Sequence, residues 1–151
     1  MSSATLYAPA STDEAEILAL GGALHQAHFN KDPEGIAAPY APHAVIYDLE
    51  PPLSHDGISV ERKQKWLDTW ETPVELIAHD FKVVVNGDHA YGHGYLRLSG
   101  TKKGADHPII FWMRATMFFE RIDGAWRIVH EHTSVPFYMD GSLRPAFDLL
   151  P

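Results

Sequence analysis

The stretch Ile122-Asp123-Gly124-Ala125-Trp126-Arg127-Ile128-Val129-His130-Glu131-His132-Thr133-Ser134-Val135 decides how this chain folds. Asp123-Gly124 is a hairpin-turn dipeptide between two β-prone runs, Ile109 to Ile122 and Ala125 to Val135. The same pattern stands upstream, where Glu75 to Asn86 meets His89 to Ser99 across Asn86-Gly87-Asp88. Two consecutive hairpins predict a four-stranded meander. Side chains alternate faces along a strand, so His130, His132 and Ser134 share one face and Glu131, Thr133 and Val135 the other. Titratable groups in such a strand cost free energy unless paired. The run from His130 to Ser134 therefore marks a pocket, an interface or both.

Working outward, Ser11 stands three residues before Glu14, the spacing of a helix-capping box. Ile17, Leu20, Leu24 and Ala27 or His28 follow helical spacing from Thr12 to about Asn30. Lys31-Asp32-Pro33 ends that helix, because proline cannot continue the hydrogen-bond ladder. A short helix follows from Pro33 to about Tyr40, then a strand from Ala44 to Leu49 that Pro51-Pro52 breaks. Ser59 caps a second long helix reaching about Thr72, where Pro73 stops it. Helices first and meander after predict an α+β fold, with helices on one face of a curved antiparallel sheet. Residues 1–11 read as a loose N-terminal tail, 12–137 as the domain, and 138–151 as a C-terminal tail whose Phe147, Leu149 and Leu150 dock on it.

The chain has 151 residues, 45% hydrophobic and 21% charged, the balance of one domain with a packed core. A net charge of -8 argues against nucleic acid or an anionic membrane as partner. Without cysteine there is no disulfide, thiolate metal site or cysteine nucleophile. No apolar run approaches the roughly 20 residues of a membrane span. Met1 to Ser11 lacks the basic start and apolar core of a signal peptide, so a cytoplasmic location is expected. No phosphate-binding glycine loop, nucleophile elbow or dinucleotide fingerprint appears, and no cofactor is expected.

Several words of the sequence resemble a known family. They are Tyr47-Asp48-Leu49-Glu50-Pro51-Pro52-Leu53, the Trp112-x-Arg114-x-Thr116 strand, Asp123-Gly124-x-Trp126, His130-Glu131-His132-x-Ser134-Val135-Pro136-Phe137, and the Phe147-Asp148-Leu149-x-Pro151 end. Together they resemble the SnoaL-like branch of the nuclear transport factor 2-like superfamily, in particular its ketosteroid-isomerase-like proteins. That resemblance implies a cone-shaped half-barrel with a deep pocket between sheet and helices, usually dimeric through the outer sheet face. It also implies a function: cofactor-independent isomerase, cyclase or lyase chemistry by proton transfer on a small apolar organic molecule. The alternative is a non-catalytic ligand-binding or oligomerisation module, as in the association domain of calcium/calmodulin-dependent kinases.

The resemblance bears on single residues too. Tyr40-Ala41-Pro42-His43-Ala44-Val45-Ile46-Tyr47-Asp48 is similar to the isomerase segment whose last aspartate is the general base. Asp48 holds that place, with Tyr47, Leu49, Trp66 and Phe118 as candidate apolar walls; a simpler role would be to cap the turn before Pro51-Pro52. The isomerase's oxyanion groups find no counterpart: the matching helix offers Leu24, His25 and His28, the matching strand Ala115, Thr116 and Met117. Arg97 resembles a pocket arginine of the association domain, suited to a carboxylate-bearing ligand.

Glu131, His130 and His132 are the other catalytic candidates, since imidazole exchanges protons near neutral pH. His130 and His132 lie about 6.5 Å apart along one strand face. A metal would need a third ligand, with His93 or Glu131 the available choices, and neither has ligand spacing, so no metal is expected. The histidines would otherwise be structural or at a dimer interface, at least one of them bonded to Arg114's strand, Ser134 or the partner chain. Trp112, Arg114, Thr116, Met117 and Phe118, with Tyr47 and Trp66, complete the ligand-binding candidates. Register decides among them. A two-residue Asp123-Gly124 turn puts Thr116 opposite Glu131. A three-residue loop with a bulge swings Arg114 and Thr116 to the His130/His132 face. The association-domain resemblance favours the second, with Glu131, Thr133, Ala115 and Met117 towards the pocket.

Overall fold

The Ser11 hydroxyl accepts the Glu14 N–H at 3.1 Å and opens helix α1, Thr12–Phe29. The computed structural model describes residues 11–151; the tail expected over 1–11 lies, Ser11 apart, outside the described residues. Asp32 caps the one-turn helix α2 (Pro33–Ala37) by accepting from Gly35 N–H at 3.0 Å. Tyr40 is not the end of that helix but the first residue of strand β1, Tyr40–Tyr47. After the short strand β2 (His55–Asp56), Ser59 caps α3, Val60–Leu67. Strands β3 (Glu75–Asn86), β4 (His89–Gly100), β5 (Ile109–Ile122) and β6 (Ala125–Ser134) form the meander.

The sheet order is β2-β1-β6-β5-β4-β3. The expected antiparallel pairing holds throughout the four long strands. β1 instead joins β6 in parallel. From β1 the chain adds β2 at one edge and crosses through α3 to start the meander at the opposite edge, so the last strand returns alongside β1. The sheet is curved and unclosed, with the helices on its inner face, the cone-shaped α+β half-barrel that the sequence resemblance implied.

The β5–β6 register combines parts of both expected alternatives. The turn has two residues, Ile122 pairing with Ala125. Asp123 and Gly124 both have positive φ, 51° and 81°, the geometry that matches a two-residue turn to the strand twist. The bulge sits mid-strand: Phe119 pairs with Ile128 but Phe118 with His130, leaving Val129 as the extra residue. Before it Trp126 and Ile128 point inward; after it Glu131 and Thr133 do. Thr116 consequently lies opposite His132, and Arg114 opposite Ser134, its Nε donating to Ser134 Oγ at 3.1 Å.

Ile17 and Leu24 of α1, Ile36 of α2, and Leu67, Trp70 and Val74 after it pack on the inner stripe Met113, Met117, Phe119 and Ile128. Each fully buried aliphatic or aromatic side chain contributes about 1.5–3 kcal/mol. An electrostatic tie adds to this contact. Arg121 pairs with Asp13 of α1, whose carboxylate also accepts from the Trp126 indole at 3.2 Å. At the C-terminal end, Tyr138 N–H donates to Arg144 O and Ala146 N–H to Pro136 O, Ala146 is buried, and Phe147 packs on Phe111 with ring centroids 4.6 Å apart.

Candidate active site

The last turn of α1 brings His28 to the inner sheet face, and the start of β1 brings Tyr40. The inward stripe of β6 beyond the bulge brings Glu131 and Thr133, while α3 and the turn after it bring Lys63, Trp66 and Trp70. With Asp48, just past β1, these residues line a cavity of about 510 Å³ walled by Leu76, Leu96, Leu98 and Met113. A smaller apolar lobe of about 70 Å³ continues under α1, lined by Ile17, Leu24, Met117 and Phe119 among others. His28, Tyr40 and Glu131 line both spaces, so this polar trio stands at their junction.

Tyr40 donates its hydroxyl to Glu131 Oε2 at 3.0 Å. Burial pushes the Glu131 carboxyl up to about 7; the Tyr40 hydrogen bond and the Lys63 charge pull it down, and Asp48 adds to the rise. Glu131 keeps some accessible surface and lines both spaces. Tyr40 is raised well above its usual range, first by burial and then by Glu131. His28 is lowered to about 4, chiefly by burial, against the opposing effect of its bond to Leu24. Its Nδ1 lies 2.7 Å from the Leu24 carbonyl, which can only accept, so Nδ1 carries the hydrogen and Nε2 is left as an acceptor. The Thr133 hydroxyl and the Trp70 indole N–H are buried in the cavity wall without a protein partner.

A profile of the SnoaL-like domain matches residues 17–138. The chain belongs to the SnoaL-like family. Among solved structures it is similar to an NTF2-like protein of unknown function from Pseudomonas putida KT2440, at 29% identity and TM-score 0.81, covering 95% of this chain and 100% of that one. It is also similar to a provisionally assigned calcium/calmodulin-dependent protein kinase II association domain from Xanthomonas campestris (22% identity, TM-score 0.69, 85% and 91% covered). A provisionally assigned dehydratase of the NTF2-like family from Streptomyces avermitilis shares the fold at 16% identity (TM-score 0.68, 84% and 97% covered). No functionally curated protein matches the chain in sequence.

Within this SnoaL-like cone, the expected site residues divide between two faces. Asp48, Glu131 and Trp66 line the main cavity, and Met117 lines the inner lobe with Glu131. Asp48 is half-buried, and its Oδ1 accepts the Leu49 N–H at 2.7 Å. Tyr47, Arg97, Trp112, Arg114, Thr116, Phe118, His130 and His132 are on the outer face, because Ile46, Leu96, Leu98, Met113, Ala115 and Met117 take the inward positions of their strands. The cavity walls expected from Tyr47 and Phe118 are thus absent, and the arginine likened to a pocket residue lies across the sheet from the pocket.

On that outer face the Tyr47 ring stands edge-on to both imidazoles, at 4.9 Å from His130 and 5.4 Å from His132. Phe118 flanks His130 at 5.8 Å. The hydrogen-bond partner of His130 Nδ1 is the Val45 carbonyl of β1, at 2.7 Å, not Arg114's strand or Ser134. The parallel β1–β6 pairing puts Val45 beside His130, and that pairing was not part of the sequence reading. Among the described residues no group of three histidine, aspartate or glutamate side chains is placed to hold a metal ion.

Four cavity groups, His28, Tyr40, Lys63 and Trp70, were not singled out as site residues from sequence; His28 entered only among the helix residues that do not match the isomerase's oxyanion group. The nearest signal lay one residue on: Ala41, immediately before Pro42, is biased towards extended backbone, which favours strand over helix beside Tyr40. For Lys63 and Trp70 no local pattern distinguishes a cavity wall from an ordinary helix face.

Proposed function

We propose that the cavity is an active site for cofactor-independent proton transfer on a small apolar organic molecule, the chemistry of an isomerase, cyclase, dehydratase or related lyase. One observation carries this reading: the buried carboxyl of Glu131, held by Tyr40 at the cavity junction, with a proton affinity near neutrality. Such a group can take and return a proton at working pH, whereas an ordinary glutamate is a poor acid there. As base, Glu131 takes a proton from the carbon next to a carbonyl and the C–H electron pair moves into the adjoining bond, giving an enol or enolate. Its acid form then returns the proton to another carbon, or to a leaving hydroxyl. Asp48, the second carboxylate lining the cavity, is the residue to which the family resemblance gives a general-base role, and it would relay the proton with Glu131. Neutral His28, with Nε2 unprotonated, offers an acceptor in the same cavity.

Deuterium incorporation into a panel of enolisable and α,β-unsaturated ketones, followed by NMR in D2O, tests this. The wild type should exchange well above buffer. Glu131→Gln should exchange about 10²-fold more slowly or worse, as should Asp48→Asn. Exchange by Glu131→Gln at the wild-type rate, or by the wild type only at the buffer rate, would sink the reading.

The outer face supports a homodimer. Tyr47, Tyr91 and Phe118 are 41%, 45% and 46% exposed around the two histidines, and clustered exposed aromatics are what an interaction surface presents. In this reading His130, His132, Arg114, Thr116, Trp112 and Arg97 contribute to assembly rather than to the cavity. Were the exchange experiment to fail, the oligomerisation module would become the leading function.

A further inference from the structure

Acidic residues outnumber basic ones in this chain, 20 to 12. Three lysines nevertheless converge on one pair of tryptophans, with no carboxylate in ion-pair contact among the described residues. Lys102 Nζ lies 3.9 Å from the Trp70 ring centroid and 5.6 Å from that of Trp66. Lys63 Nζ lies 5.5 Å from the same Trp66 ring. Lys31 Nζ donates to the Trp70 carbonyl at 2.6 Å. Among the described residues the lysine ion pair that does form, Lys65 with Glu61, lies elsewhere, on the solvent side of α3. Lys102 has one neutral polar partner, Thr69 Oγ1 at 2.6 Å.

Lys63 and Lys102 both line the main cavity, and so does Trp70. The Trp70 side chain is 2% exposed and its indole N–H has no acceptor. Ammonium groups against apolar walls favour a counter-ion, and a buried N–H without an acceptor costs about 1–3 kcal/mol. The cavity's own acids, Asp48 and Glu131, make no ion pair with these lysines. They also disfavour a doubly charged ligand. The apolar lobe beyond Glu131 fits the other end of the molecule.

We propose that the cavity takes an amphipathic monocarboxylate, its carboxylate between Lys63 and Lys102 and its apolar part reaching past Glu131 towards Leu24, Met117 and Phe119. This rests on the cavity being the substrate site, not on the proton-transfer step. It places the carboxylate at one end of the ligand and the reacting carbons beside Glu131.

Titration calorimetry with octanoate and octanamide, which share a tail and differ in charge, tests it. Wild type should bind octanoate at least tenfold more tightly than octanamide, and added salt should shrink that ratio. Lys63→Met/Lys102→Met should bind the two equally, while holding the amide as the wild type does, which also shows that it is folded. Lys63→Arg should keep most of the preference. Lys65→Met, on the solvent side of α3, should keep all of it. Equal binding of acid and amide by the wild type, binding of neither, or a preference that survives the double substitution would overturn the proposal. So would a preference lost in Lys65→Met. Because binding is read without turnover, a preserved preference in a protein that exchanges no deuterium sinks the catalytic reading alone. A lost preference with exchange intact sinks this one alone.

Discussion

Glu131 acquires its chemistry from where the chain puts it. A glutamate takes up its proton near 4.5 in water; at the cavity junction burial raises this to about 7. The consequence for stability has a definite sign. As pH rises from about 4.5 to 7 the unfolded chain loses this proton while the folded chain keeps it, so stability falls across that window. Above it the folded state carries a buried carboxylate at a cost on the order of 3 kcal/mol, since a tenfold change in proton affinity is about 1.4 kcal/mol. Glu131→Gln keeps an acceptor for Tyr40 and has no proton to lose. It should match the wild type in urea unfolding near pH 4.5 and exceed it by about 1–3 kcal/mol near pH 8.5. His28, lowered to about 4, costs both proteins the same stability as pH falls from 6.5, so the difference between them isolates Glu131. Identical pH profiles for the two proteins would show that Glu131 is solvated.

At the scale of elements, two irregularities in the sheet shape the cavity. The bulge at Val129 turns Glu131 inward. On the other side of the meander β3 slips between His79 and Lys82, with Asp80 at φ 50°, and its backbone presses against β4. Gly94 makes that approach possible: a Cβ there would lie 2.7 Å from Phe81 Cα and 2.9 Å from the His79 carbonyl oxygen. Both are backbone atoms, which cannot rotate aside. Gly94→Ala should therefore cost about 1–3 kcal/mol, as overpacking does, and lower Tm by several degrees. Gly22→Ala, in the interior of α1 with open space around it, should instead raise stability by about 0.5–1 kcal/mol. Equal Tm values for the two variants would mean that the β3–β4 contact is looser than its geometry.

At the scale of the whole molecule the sheet has two uses, an inner face that closes a cavity and an outer face that collects exposed aromatics. Phe118 lies near the middle of the outer patch, between Tyr91 at 6.4 Å and His130. Sedimentation velocity at about 10 μM should find a dimer, because burying such a patch removes large aromatic surface from water. Phe118→Glu should shift it to monomer while leaving the cavity's ligand preference unchanged. A wild type that sediments as a monomer at that concentration would rule out the outer-face dimer. No helix among the described residues is long and apolar enough to cross a membrane.

The sequence by itself determined the order and kind of the long elements; it did not show the two-residue strand β2, and α3 ends at Leu67 rather than near Thr72, where the chain turns to bring Trp70 into the core. Ser11, Asp32-Pro33, Ser59, Asn86-Gly87 and Asp123-Gly124 are local signals, acting through caps and turns within a few residues, and each falls at or within a residue or so of an element boundary. The words that resembled the family carried the cone with its pocket, and Asp48 and Glu131 were legible as carboxylates in chemically loaded stretches. What only the tertiary structure decided was which of the loaded residues meet. The association-domain resemblance favoured Glu131 and Thr133 towards the pocket; strand side chains alternate with period two, and it is one extra residue at Val129 that sends them inward and His130 and His132 outward. A bulge depends on how two strands pack, and nothing local to Val129 announces it. The same holds for the parallel β1–β6 pair, which supplies Tyr40 to Glu131 and Val45 to His130, and for Lys63 and Lys102 both reaching the Trp66 ring. These contacts join residues tens of positions apart, and their energies exist only once the chain is folded.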